Sequence, residues 1–140
     1  MINNAACSAG WTYFPQSGLC YKYHSIEKTW DEARRFCQTN AQDGDLASVP
    51  DKATNDFLTT LTTEYSWIGA TDEGSEGTWR WSDGTPWGYE NWSPNNPDNW
   101  GNMQHYAAIN WKSVGLWDDN SGSTSGTHFI CQGMIAICRM

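Results

Sequence analysis

The spacing of apolar positions changes part-way along the chain. Between Ser25 and Asn40, Trp30, Ala33, Phe36 and Cys37 recur every three to four residues behind Lys28-Thr29, so one face of a helix is predicted there. Pro50 to Thr63 repeats the pattern with Phe57, Leu58 and Leu61 and predicts a second helix. From Ser66 onward the apolar runs become short: Ser66-Trp67-Ile68-Gly69, Thr78-Trp79-Arg80-Trp81, Tyr106-Ala107-Ala108-Ile109 and His128-Phe129-Ile130-Cys131, separated by segments of Gly, Asn, Ser and Asp. These read as strands in loop-rich surroundings. Before the helices, Tyr21 to His24 alternates like a strand, and the stretch from Cys7 to Cys20, with turn signals at Pro15 and Gly18, reads as a stapled hairpin. Helices first and strands afterwards make an α+β domain.

The 140 residues, 1–140, fit one domain, which buries roughly two-thirds of its unfolded surface around one core. A formal charge of −8, with eight Lys and Arg, leaves no cationic patch to displace counterions from phosphate, so nucleic acid and anionic membranes are not expected partners. The same balance suits a cation site. Ten Trp supply material for a compact core and for an aromatic platform against an apolar ligand face. Five cysteines in a small chain fit an oxidising compartment, so a secreted, extracellular location is expected. Met1 to Ala6 lacks the basic and apolar regions of a signal peptide, and the expectation is a chain whose leader has been removed. No run approaches the length of a membrane span, and neither Cys-x-x-Cys nor a zinc spacing of His occurs.

Candidate chemistry concentrates in Ser93-Pro94-Asn95-Asn96-Pro97-Asp98-Asn99-Trp100-Gly101-Asn102 and in Trp117-Asp118-Asp119. Calcium takes six to eight oxygen ligands, and Asn96, Asp98, Asn99, Asn102, Gln104, Asp118, Asp119 and Asn120 offer carboxylates and amide carbonyls. A cis Asn96-Pro97 bond would aim the flanking side chains at one point. The competing reading is that Asn, Pro, Asp and Gly are here because they make turns.

With those residues in view, the chain resembles the C-type lectin domain over nearly its whole length. The resemblance rests on Cys7 with Gly10-Trp11, Cys20-Tyr21, Trp30 and Ala33 with Cys37, Leu46-Ala47-Ser48-Val49, Trp67-Ile68-Gly69-Ala70, Trp79-Arg80-Trp81-Ser82-Asp83-Gly84, Asn91-Trp92, Asn96-Pro97-Asp98, Trp117-Asp118-Asp119 and Phe129-Ile130-Cys131. It is most similar to short, soluble, single-domain invertebrate members. The resemblance implies two helices, antiparallel sheets and a long calcium-binding loop. It also implies disulfides Cys7 to Cys20 and Cys37 to Cys131, and a calcium held by Asn96, Asp98, Gln104, Asp118 and Asp119. In such domains two vicinal sugar hydroxyls ligate the calcium while the same side chains hydrogen-bond them. The chain departs from the family in carrying Asn96 where Glu or Gln is usual, Gln104 where Glu is usual, and Tyr106 and Gly122 where a further disulfide is expected.

An amide before Pro97, a carboxylate after it and Trp100 two residues on resemble the galactose and N-acetylgalactosamine type, with Trp100 stacking on the sugar. Mannose or N-acetylglucosamine is the alternative, and for Trp100 the alternative is burial under the loop. Asp72 and Glu76, with Asn99, match a second metal site of some relatives, against the plainer reading of a solvated acidic loop. Cys138 is left without an intramolecular partner, which predicts either a disulfide-linked homodimer with added avidity for clustered glycans or a buried thiol. The expected function is a calcium-dependent lectin of secreted, innate-immune character. A calcium-independent domain of the same fold that binds protein is the second class. An enzyme is not expected, because Asp118 and Asp119 are adjacent in sequence instead of facing each other across a cleft, and no nucleophile motif occurs.

Overall fold

The computed structural model describes residues 5–123, 127–134 and 136–137. In chain order the elements are β1 (Ala5–Ala6), β2 (Thr12–Phe14), β3 (Leu19–Lys28), α1 (Trp30–Asn40), β4 (Asp45–Leu46), α2 (Lys52–Leu61), β5 (Ser66–Thr71) and β6 (Arg80–Trp81). A short 3-10 turn at Trp100–Asn102 follows, then β7 (Tyr106–Ile109), β8 (Trp117–Asn120), β9 (Thr127–Gly133) and β10 (Ala136–Ile137). Cys138 lies outside the described residues, and with it the expectation of an interchain disulfide.

Capping chemistry decides where the helices begin. Thr29 Oγ1 accepts from Glu32 N at 3.2 Å while Glu32 Oε1 accepts from Thr29 N at 3.0 Å, a reciprocal box that makes Trp30 the first helical residue. The predicted start at Ser25 is thereby corrected. Residues 25–28 continue β3, which pairs His24 with Phe129 and Lys28 with Thr127 across a bulge. In α2 the Asp51 carboxylate accepts from Thr54 N at 2.8 Å, so Pro50 stays outside and the helix is shorter than the predicted 50–63 at both ends. Of Thr78–Trp81, only Arg80 and Trp81 pair as strand, with Thr71 and Ala70.

Eight strands form one sheet along the path β2-β3-β9-β5-β7-β8, with β4 added to β9 and β6 to β5. It is mixed, which corrects the expectation of antiparallel sheets: β5 runs parallel to β9, with Ser66 opposite His128 and Trp67 opposite Phe129. Strands β1 and β10 form a separate two-stranded clasp. Disulfides join Cys7 to Cys20 and Cys37 to Cys131, the latter fastening α1 to the centre of the sheet. One apolar cluster contains Val49, Leu58, Ile68, Trp81, Trp117 and Ile130, and a second lies under α1 around Trp30, Trp67 and Phe129. Trp67, Trp79, Trp81 and Trp117 are buried and Trp87 packs on the first cluster, so most of the described Trp side chains are structural.

Candidate functional site

Between β6 and β7 the chain makes one long excursion, and buried Trp117 organises its base. Ser93 N donates to Trp117 O at 2.8 Å and Trp117 N donates to Asn91 O at 2.9 Å. Past that anchor, Asn95, Asn99 and Asn102 have φ of 71°, 45° and 58°. Left-handed backbone favours Asn among residues with a side chain, so these three serve the turns, as the turn-forming reading of this segment held. The Asn96-Pro97 bond is cis.

The excursion folds back onto β8 and brings the predicted ligands together. Asp119 Oδ1 and Oδ2 accept from Asp98 N at 3.1 Å and Asn99 N at 2.7 Å. Trp100 N is shared between Asp98 Oδ1 at 3.2 Å and Gln104 Oε1 at 3.1 Å. The Asn96 amide spans Ser93 Oγ at 2.6 Å and the two carboxylates, with its nitrogen donating to Asp118 Oδ1 at 3.2 Å and Asp119 Oδ1 at 3.1 Å. Asn96, Asp98, Gln104, Asp118 and Asp119 thus form one connected polar network. Beside it opens a cavity of about 320 Å³ whose lining includes Asn96, Asp98, Trp100, Gln104, Trp111 and Asp118. Trp100 is 73% exposed, which corrects the reading of a ring buried beneath the loop.

Three carboxylates meeting in a partly desolvated place repel one another. Burial pushes the Asp118 carboxyl up to about 6, the nearby Asp119 and Asp98 charges add to the shift, and the Tyr65 hydrogen bond and Lys112 oppose it. Burial also raises Asp119, against the backbone N–H groups of Asn99 and Asp98. Tyr65 hydroxyl donates to Asp118 Oδ2 at 2.8 Å and accepts from Asn120 Nδ2 at 2.9 Å. Its own ionisation is pushed upward first by burial and then by Asp118, so it stays a donor. The sequence carries no signal for Tyr65, which sits 53 residues before Asp118 and reaches it through the sheet.

Asp72 and Glu76 come together in a second place, with His105 instead of Asn99. His105 Nδ1 lies 2.9 Å from Asp72 Oδ1 and 3.2 Å from Glu76 Oε1. The Asn99 side chain faces its own turn: Oδ1 accepts from Gln104 N at 3.1 Å, and Nδ2 lies 3.5 Å from Asn102 Oδ1.

Residues 26–133 match the family model described as the Lectin C-type domain. The chain belongs to the C-type lectin domain family. Versican core protein of Rattus norvegicus is 34% identical over 128 residues, covering 91% of this chain and 4% of versican. This C-type lectin domain therefore spans only a small part of the curated relatives it matches. The carbohydrate-recognition domain of cow CD23, solved in the presence of a GlcNAc2Man3 oligosaccharide, is 30% identical with a TM-score of 0.84, covering 98% of this chain and 100% of that one. A calcium-independent type II antifreeze protein is 26% identical with a TM-score of 0.82, covering 94% of this chain and 96% of that one. The family fold is a carbohydrate-binding one and is not catalytic.

One departure of this C-type lectin domain from its family has a visible solution. A Cβ placed on Gly122 would meet Tyr106 Cε2 at 2.5 Å, so the residues at the two expected cysteine positions do face each other. The Tyr106 ring fills that space, packs 4.6 Å from the Trp30 ring, and donates its hydroxyl to Glu73. Gly122 O meanwhile accepts from Trp30 N at 3.0 Å. Aromatic packing and hydrogen bonds stand where a disulfide is absent.

Proposed function

We propose that this domain is a calcium-dependent lectin for terminal galactose or N-acetylgalactosamine, with Asn96, Asp98, Gln104, Asp118 and Asp119 as the calcium and sugar ligands and Trp100 as the stacking platform. The observation that carries this reading is the exposed Trp100 beside a cavity lined by four of those donors, Asn96, Asp98, Gln104 and Asp118. Carboxylates held against their mutual repulsion are the donor chemistry that calcium neutralises, and with the Asn96 amide turned over, so that its oxygen replaces the nitrogen now donating to Asp118 and Asp119, amide oxygens would complete an all-oxygen set. When bound, calcium supplies coordination positions for two vicinal sugar hydroxyls. The side chains do the rest. Asp98 accepts charge-assisted hydrogen bonds from hydroxyls, the amides of Asn96 and Gln104 donate to them, and the Trp100 ring takes the apolar C–H face of the sugar. Tyr65 holds the Asp118 carboxylate in place from behind.

The two disulfides support an extracellular setting, where glycans are the partners. Among the described residues no helix is long and apolar enough to cross a membrane.

A calcium-free reading is favoured by one feature. Both oxygens of Asp119 already bind backbone N–H groups of the loop, so the protein's own hydrogen bonds close it, and one structural neighbour is calcium-independent. A glycan array probed in calcium and again in excess chelator separates the readings. The expected result is binding to galactose-type termini that chelator abolishes. Calcium-dependent binding to mannose or N-acetylglucosamine overturns the specificity, and binding that survives chelator overturns the calcium mechanism.

A further inference from the structure

The turn that joins β7 to β8, residues 110–116, is fastened from both sides. Asn110 Nδ2 donates to Thr62 O at 3.2 Å and to Glu64 O at 3.0 Å, while its Oδ1 accepts from Gly115 N at 2.8 Å. Trp111 N donates to Leu116 O at 3.0 Å, and the Trp111 ring packs 5.5 Å from the Tyr65 ring, whose hydroxyl braces Asp118. On this frame Lys112 is held at φ 63°, in the left-handed region that suits Gly, Asn and Asp and strains a residue with a long side chain. Its ammonium lies 5.8 Å from the centroid of the Trp111 ring. Both residues line the cavity that Trp100 borders, and of the described residues lining it Lys112 is the one with a positive charge.

Two penalties meet in this lysine. Its backbone is strained, and its charge stands near enough to be felt at Asp118, where it works against a divalent ion. No ion pair offsets them among the described residues, whereas Arg34 meets Asp45 at 3.1 Å and Lys52 meets Asp56 at 2.7 Å. A neutral sugar offers such an ammonium one more ordinary hydrogen bond. A sulfate or carboxylate offers a charge-assisted one and cancels the field that the lysine casts on the site. With calcium present to offset Asp98, Asp118 and Asp119, Lys112 is the charge that remains facing the cavity. We propose that Lys112, seated on Trp111, holds an anionic group carried by the glycan. The preferred ligand of this site is then a galactose-type terminus with a sulfate ester or carboxylate, placed outside the hydroxyl pair that ligates calcium or on the adjoining sugar. The proposal rests on the lectin reading and adds a charge to its ligand. In a chain of charge −8 this selectivity comes from one placed cation instead of a basic surface, so it is short-ranged and salt-sensitive.

The test is titration calorimetry of the intact chain in calcium with galactose, galactose 6-sulfate and galactose joined to glucuronic acid, each at about 0.05 M and about 0.5 M salt. The anionic ligands should bind about fivefold tighter than galactose at low salt, and high salt should cut that advantage to less than about twofold. A gain confined to one of them supports the proposal and names sulfate or carboxylate as the group held. Lys112→Asn removes the charge and keeps a residue suited to left-handed backbone. It should erase the advantage, leave galactose affinity within about twofold of the parent and not lower the melting temperature. Lys112→Arg should retain most of the advantage. Galactose binding with no preference for either anionic ligand, or a preference that survives in folded Lys112→Asn, overturns the proposal and leaves the lectin reading standing. Absence of binding for all three ligands overturns both.

Discussion

Trp117 Nε1 donates to Asn55 Oδ1 at 2.7 Å in the buried interior, and Asn55 Nδ2 donates to Gly115 O at 3.1 Å. One side chain of α2 therefore positions the strand whose next two residues are Asp118 and Asp119. Replacing Asn55 by Ala leaves the indole N–H without a partner in the core. The expected cost is about 1–3 kcal/mol by denaturant unfolding, accompanied, on the proposed calcium-dependent reading, by weakened calcium binding at a site the substituted residue never touches.

On the proposed lectin reading, Trp100 separates stability from recognition. Because its ring faces solvent, Trp100→Ala should leave the melting temperature within about a degree of the parent while galactose affinity drops by up to roughly tenfold, the equivalent of about 0.5–1.5 kcal/mol of ring packing. Trp100→Phe should recover part of the affinity. Titration calorimetry with galactose decides it, and an unchanged affinity in Trp100→Ala removes the stacking platform from the mechanism.

His24 makes the fold acid-sensitive. Its ring stacks on Phe129 at 5.0 Å, Nε2 has no hydrogen-bond partner among the described residues, and burial, assisted by Lys22, lowers its ionisation from 6.5 to about 4. The unfolded chain therefore binds the proton more readily than the folded one. The stabilisation is complete above about pH 6.5 and is lost as pH falls toward about 4. His24→Phe should flatten this part of the curve, so the gap in melting temperature between variant and parent should widen from pH 7.5 to pH 4.5. Asp118 acts in the opposite sense in calcium-free protein, since its raised ionisation favours the folded state at lower pH, and comparison with the variant cancels that contribution.

Gly122 is intolerant of a side chain for a reason specific to this chain. Alanine there drives a methyl group into a Tyr106 ring already confined by Trp30 and Glu73, and a loss of about 1–3 kcal/mol is expected in thermal unfolding. The double replacement Tyr106→Cys with Gly122→Cys should instead form the missing disulfide, detected as loss of free thiol, and raise the melting temperature.

Local rules made much of this fold legible. Thr29 with Glu32 and Asp51 with Thr54 are start signals present in the sequence, although apolar spacing alone sets the starts at Ser25 and Pro50, and Asn96-Pro97-Asp98 with Trp117-Asp118-Asp119 mark two segments that the structure brings together. Other features depend on closure of the sheet and leave no local trace. Residues 25–28 look indifferent until β9 offers them a ladder, and the parallel β5–β9 pair joins segments about 60 positions apart. His105 stands 33 residues from Asp72 with no spacing to mark it as a partner, whereas Asn99, the residue expected there, is needed for left-handed backbone. Tyr65 was invisible for the same reason: its role is to brace a carboxylate supplied by a distant strand.

The clasp of β1 and β10 places Ala5 opposite Ile137 and Ala6 opposite Ala136. Incoming and outgoing polypeptide thus pass through a single doorway, side by side. A domain wired in this way behaves as a cassette: whatever precedes or follows it can be exchanged, and the whole unit can be spliced into a host loop, without stretching the sheet or disturbing the Asp98 network.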